Sequence, residues 1–264
     1  MIRQLLNAFS TEILILLLVG GTVVLAIGGV LIARKMVPNL AESHFEDVVD
    51  GLRTVYELLF TIVLAFAIGA VIGTFGTAES KVSAEATKLA QMASASRDRD
   101  VTPDQRIVFN NAIGEYVHAV ADDEFITMKA GETSPLAAIA LDNLYGVYQR
   151  YTPEPGAELG YEMSLAALDE VAAMRRDRIL QSTAELPSLL RIILVIGLVI
   201  LLILEYRPKF PTVSTQLIHI ALVAVIASSS VLLTILLDYP FAGEVAVSNT
   251  PFKQGALAQF WPSP

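Results

Sequence analysis

Few residues in this chain have types and spacings able to do chemistry. There is no cysteine, which excludes thiolate catalysis, iron–sulfur clusters and Cys-ligated zinc. The three histidines, His44, His118 and His219, are far apart in sequence. His44 stands near Glu46, Asp47 and Asp50, a set able in principle to ligate a cation. Carboxylates without a second histidine are equally ordinary on a solvated loop. Asp122-Asp123-Glu124 offers hard oxygen ligands, but it lacks the Asp-x-Asp-x-Asp-Gly loop of a calcium site. A charged helix face is its plainer reading. No GxSxG, P-loop, HExxH or strand–helix GxGxxG occurs, so no catalytic residue, resident metal or cofactor is expected.

The elements that hold these residues are set by hydrophobicity. Apolar residues make up 54% of the 264 and charged residues 17%, against about 25% charged in a soluble domain. The excess lies in long uncharged runs, which excludes disorder and a disulfide scaffold, and the net charge of −9 disfavours a nucleic-acid partner. Ile13–Ala33 and Leu58–Ala78 are each 21 residues without a charge. A third run, 186–204, is broken only by Arg191, and a fourth centres on 217–237 with His219 inside it. About 20 apolar residues at 1.5 Å rise cross a hydrocarbon core of about 30 Å, and backbone in lipid must be helical. The expectation is an all-α integral membrane protein: a hairpin over 1–78, a soluble insert over 79–185, and a second hairpin with an interfacial tail over 186–264. The first run is too long for a signal-peptide core and reads as an anchored helix. Arg191 is expected at the interface, its stem letting the guanidinium reach headgroups. His219 is expected near the headgroups, with no acidic partner in any run.

The insert holds 10 Lys/Arg against 18 Asp/Glu, a balance of −8. Thr102-Pro103-Asp104-Gln105 is a helix start, with Thr as cap and Gln three residues on. Phe109, Ile113, Tyr116, Val117 and Val120 follow at helical spacing, and Gly131 ends that helix. Ser134-Pro135 opens another, residues 151–156 make a turn, and a last helix runs from about Glu158 to Glu185. No breaker follows span two, so its helix is expected to continue out of the membrane past Ser80. Positive charges near the spans do not separate the two sides. The insert and both termini are taken as cytoplasmic.

Span two carries two stripes. Ala65, Gly69 and Gly73 recur every four residues and permit close helix packing, within one subunit or between subunits. Ile62, Phe66 and Ala70 recur on a neighbouring stripe. Around an axis of several copies such a stripe forms an apolar constriction that gates by dewetting. Alone, it reads as lipid-facing surface.

The order of pieces resembles the bacterial bestrophin-like domain family and, more distantly, the bestrophins. These pieces are the LLFTIVLAFAIG run, Glu85-Ala86, Tyr116 ahead of Glu124 to Met128, Arg175-x-x-Arg178-Ile179, Leu186-Pro187, Leu237 to Gly243, and Pro251-Phe252. The family usually has Glu-Trp-Pro where this chain has Glu124-Phe125-Ile126. The resemblance implies a pentamer in the bacterial inner membrane conducting chloride, with Ile62, Phe66 and Ala70 as the neck. Animal bestrophins carry a large aromatic at the third position, so Ala70 argues against a tight gate. Their calcium clasp is not recognisable, and Asp122, Asp123 and Glu124 are not carried over as ligands. Two functions remain open. One is a homo-oligomeric anion channel lined by span two. The other is a non-conducting accessory or assembly subunit, with the insert as docking surface and Phe252, Phe260 and Trp261 as an interfacial strip.

Overall fold

The structure, a computed structural model, describes residues 2–36, 46–96, 102–153, 158–206 and 212–262. Helices dominate, and there is no strand among the described residues. A short helix α1 (Ile2–Ala8) precedes the first span, which is α2 (Thr11–Ile15), a π-helical turn over Leu16–Gly20, and α3 (Gly21–Met36). The second span lies within α4 (Glu46–Ala95), 50 residues in one helix. The insert adds α5 (Pro103–His118), a π-helical turn at Ala119–Glu124, α6 (Phe125–Ala130), α7 (Pro135–Arg150) and α8 (Glu158–Thr183). α9 (Ser188–Leu204) and α10 (Val213–Leu237) form the closing hairpin. Four helical stretches among the described residues are long and apolar enough to cross a membrane, as the charge-free runs require.

Local signals place the helix ends. The Thr102 side chain accepts from Gln105 N while the Gln105 side chain accepts from Thr102 N, a complete capping box. Ser134 caps α7 by accepting from Ala137 N. Gly131 ends α6 at φ 82°, where any side chain is strained. An added Cβ there would also lie 2.6 Å from Arg3 Nη1.

α4 joins both halves of the molecule. Its buried face runs through Phe60, Leu64 and Ala67 in the span core, against Leu194, Leu198 and Ile220. The same face continues through Val82, Ala86 and Leu89 into the insert core, against Ile113, Val117, Leu144 and Leu168. Close approach of α4 to α9 depends on Gly197. A Cβ there would fall 2.5 Å from the Phe60 ring, and the Tyr56 hydroxyl donates to the Gly197 carbonyl at 2.9 Å.

Three local expectations change. The C-terminal tail is not a membrane strip but part of the insert core, with Phe252 and Leu257 fully buried there. Trp261 Nε1 donates to the Phe252 carbonyl at 2.9 Å, and Phe260 lies against Gly114. Burying these rings removes more apolar surface from water than a headgroup contact would. Arg191 does not reach outward. It pairs with Glu185 at 3.0 Å and Asp238 at 3.7 Å and hydrogen-bonds the Tyr239 hydroxyl. The other Asp238 oxygen accepts from Leu186 N at 2.6 Å, just ahead of Pro187 and α9. His219 does have an acidic partner, Glu205 at 3.4 Å, supplied by the end of α9 rather than by a run. Glu205 in turn takes Arg53 at 2.5 Å. Partnering of this kind is what charges near a membrane require.

Candidate functional site

Two features stand out: a sealed polar knot in the insert and the open face of α4. The knot begins with Glu85, which the helical period of α4 puts among Val82, Ala86 and Leu89 on the apolar face. Arg178 falls on the matching face of α8, in register with Leu168 and Val171. Both side chains are fully buried, as is Glu124. Arg178 Nε donates to Glu85 Oε2 at 2.7 Å, and Nη2 to Glu85 Oε1 at 3.2 Å and Glu124 Oε2 at 2.6 Å. Nη1 meets Met128 Sδ at 2.9 Å. Arg175 Nη2 donates to Glu124 Oε1 at 2.5 Å, and the Tyr116 hydroxyl to Glu85 Oε1 at 2.8 Å. The Phe125 and Phe252 rings lie 5.5 and 6.0 Å from the Arg178 guanidinium. Two carboxylates against two guanidiniums leave no net charge, which is how such burial becomes tolerable.

The electrostatics follow from that geometry. Burial, then the Glu85 charge, pushes the Tyr116 hydroxyl well above the ordinary phenol range. Burial works against the Arg178 cation, but Glu85 and Glu124 outweigh it and raise its pKa. Arg175 is raised in the same way by Glu124. The two guanidiniums therefore stay protonated and the Tyr116 hydroxyl keeps its proton. The knot clamps α4 to α8 and to the α5–α6 segment.

The acidic triplet is dispersed. Residues 119–124 form the π-helical turn, which changes the rotation between successive side chains. Glu124 turns into the knot. Asp123 accepts from the Ser134 hydroxyl, and Asp122 faces His118 at 3.4 Å and Lys253 at 3.9 Å. Among the described residues no three His, Asp or Glu side chains gather as a metal site. His44 lies outside the described residues.

The span-two stripes both lie on the side of α4 turned away from its own chain. Phe66 is 76% exposed and Ile62 43%, and Ala70 is exposed. Ala65, Gly69 and Gly73 are exposed too, and a Cβ added at Gly69, Gly73 or Gly76 would meet nothing within 4 Å. The close intrachain contacts fall instead at Gly197 and at Gly29, where a Cβ would lie 2.3 Å from the Tyr206 ring. Beyond the span α4 exposes Glu79 and then Ser80, Ser83, Thr87, Gln91 and Ser94, none of the latter five charged. Lys81 and Lys88 flank these residues and are paired with Asp177 and Glu170 on α8.

Sequence reasoning had the knot's residues only as scattered pieces. The signal that joins them was available: Glu85 and Arg178 each interrupt an apolar helical stripe rather than a polar one.

No curated protein and no solved structure matches this chain. The family model of the bestrophin-like domain matches residues 20–252, a stretch that takes in all four spans' apolar cores but the first turns of the first, the knot and Phe252. This multi-pass membrane protein belongs to the bestrophin-like domain family.

Proposed function

We propose that the chain assembles as a homo-oligomeric anion channel of the bacterial inner membrane, with α4 lining the pore and the insert cytoplasmic. The observation that carries the reading is the outer face of α4. Over the span it is apolar and rich in small residues, and among the described residues no part of its own chain packs against its glycines. Copies related by an axis would bring Ile62, Phe66 and Ala70 into successive rings, with Ala65, Gly69 and Gly73 beside them for close approach. The acidic insert is the natural objection, because a negative vestibule repels anions. Two features answer it. Glu85 and Glu124 are turned inward, into the knot, and past Glu79 the outer face of α4 bears only hydroxyls, an amide and small apolar groups. Backbone and hydroxyl dipoles then supply anion affinity without fixed charge.

Native mass measurement and chloride flux in liposomes test the proposal. A closed oligomer that conducts is expected. Phe66→Ala is expected to change the conductance and Ala70→Phe to reduce it. Equal currents in both variants and the parent refute the pore assignment. Co-purification with one unrelated membrane protein, and no flux, favours the accessory-subunit reading.

A further inference from the structure

A cleft of about 530 Å³ opens between the segment around α6 and the loop that follows α10. That volume lies within the range of small-ligand sites. Its depth in the membrane follows from its ties to two spans, one by a hydrogen bond and one along the chain. Thr11, the first residue of the first span, donates its N–H to Glu244 Oε2 at 2.8 Å, and Glu244 lines the cleft. The last span ends at Leu237, four residues before Phe241, which also lines it. The cleft therefore sits where two spans leave the hydrocarbon, at the level of the headgroups.

Its lining is amphipathic. Phe125, Phe241 and Ile126 give apolar surface, and Ile126 is 63% exposed. Lys129 supplies one cation, and Glu244 and Asp122 supply two carboxylates. Asp122 also faces His118 and Lys253 at its other side. Glu244 accepts one hydrogen bond, from the Thr11 N–H, and a carboxylate has room for more. Among the lining residues themselves two carboxylates face one cation, with Lys253 against Asp122 from outside the lining, so a headgroup carrying both charges fits better than a purely anionic one. A quaternary ammonium has no N–H to donate to the carboxylates.

We propose that this cleft binds the headgroup of a phospholipid carrying a primary amine, with Lys129 on the phosphate and Glu244, helped by Asp122, on the ammonium. Ile126 then lies beside the start of the acyl chains. The assignment is independent of whether the protein conducts.

The test is native mass spectrometry of the full-length protein, delipidated in detergent. It is titrated with phosphatidylethanolamine, phosphatidylcholine and phosphatidylglycerol of identical acyl chains, and with water-soluble phosphoethanolamine. Phosphatidylethanolamine is expected to be retained at about tenfold lower concentration than the other two lipids, the effect of one well-placed charged pair. Glu244→Gln keeps an oxygen for Thr11 and is expected to abolish the preference over phosphatidylcholine. Lys129→Gln, at an exposed side chain, is expected to weaken phosphatidylethanolamine retention several-fold. An unchanged melting temperature establishes that each variant is folded. Equal retention of the three lipids, or an undiminished preference in both variants, overturns the proposal. Phosphoethanolamine binding as tightly as the lipid overturns the assignment to a bilayer component.

Discussion

Arg178→Met tests the buried knot directly. The substitution keeps most of the volume of the stem and removes the guanidinium. Glu85 loses bonds of 2.7 and 3.2 Å and keeps only the Tyr116 hydroxyl, while Glu124 loses one of 2.6 Å and keeps Arg175. One fully buried carboxylate is thus left without a counter-charge. Breaking a buried pair by removing one partner costs about 3–5 kcal/mol. For a chain of this size that corresponds to a fall in Tm of about 6–20 °C. The single tryptophan, Trp261, is hydrogen-bonded within the insert core and reports its melting by fluorescence. Adding Glu85→Gln removes the stranded charge and keeps an acceptor for Tyr116, so the double variant is expected to recover at least half of the loss. A single variant melting within about 2 °C of the parent refutes the reasoning. So does a double variant that falls as far as the single one.

Three further outcomes are expected. Burial pushes the Tyr148 hydroxyl up to about 12, so the folded chain holds that proton where the unfolded chain releases it, and stability falls as pH rises from 10 toward 12. Tyr148→Phe is expected to flatten that decline in a pH series of denaturant melts, by about 2–3 kcal/mol at the alkaline end. Gly197→Ala forces a Cβ into the Phe60 ring and is expected to cost about 1–3 kcal/mol in the same assay. Gly69→Ala, with open space at its Cβ, is expected to leave melting of the single chain unchanged and to alter only the oligomer distribution seen by native mass.

Much of the architecture was legible because it is encoded locally. An uncharged run long enough for a bilayer, Thr102 and Gln105 three apart, Ser134 before Pro135 and Gly131 after Ala130 each fix a helix within a few residues of themselves. The continuation of span two past Ser80 was also readable, since nothing there breaks a helix. What escaped was long-range pairing. Arg178 and Glu85 are 93 positions apart, and only the packing of α8 on α4 joins them. Glu124 sat beside two other acids and read as part of one charged face, because a π-helical turn leaves no mark that composition can register. Arg191 and His219 read as interfacial residues turned to the headgroups because their pairing is also long-range. Their partners, Asp238 and Glu205, stand at the ends of other helices. The tail read as an interfacial strip because aromatic residues near a span have two homes, and only the fold decides between them.

The unbroken length of α4 has a mechanical meaning. At 1.5 Å per residue its 50 residues make a rod of about 75 Å, more than twice the thickness of the hydrocarbon, with no proline along it. Arg178 and Tyr116 grip one arm of the rod, and Phe66 rides on the other. One continuous helix thus ties the side chains inside the bilayer to the clamp in the aqueous insert, with no proline or loop between them.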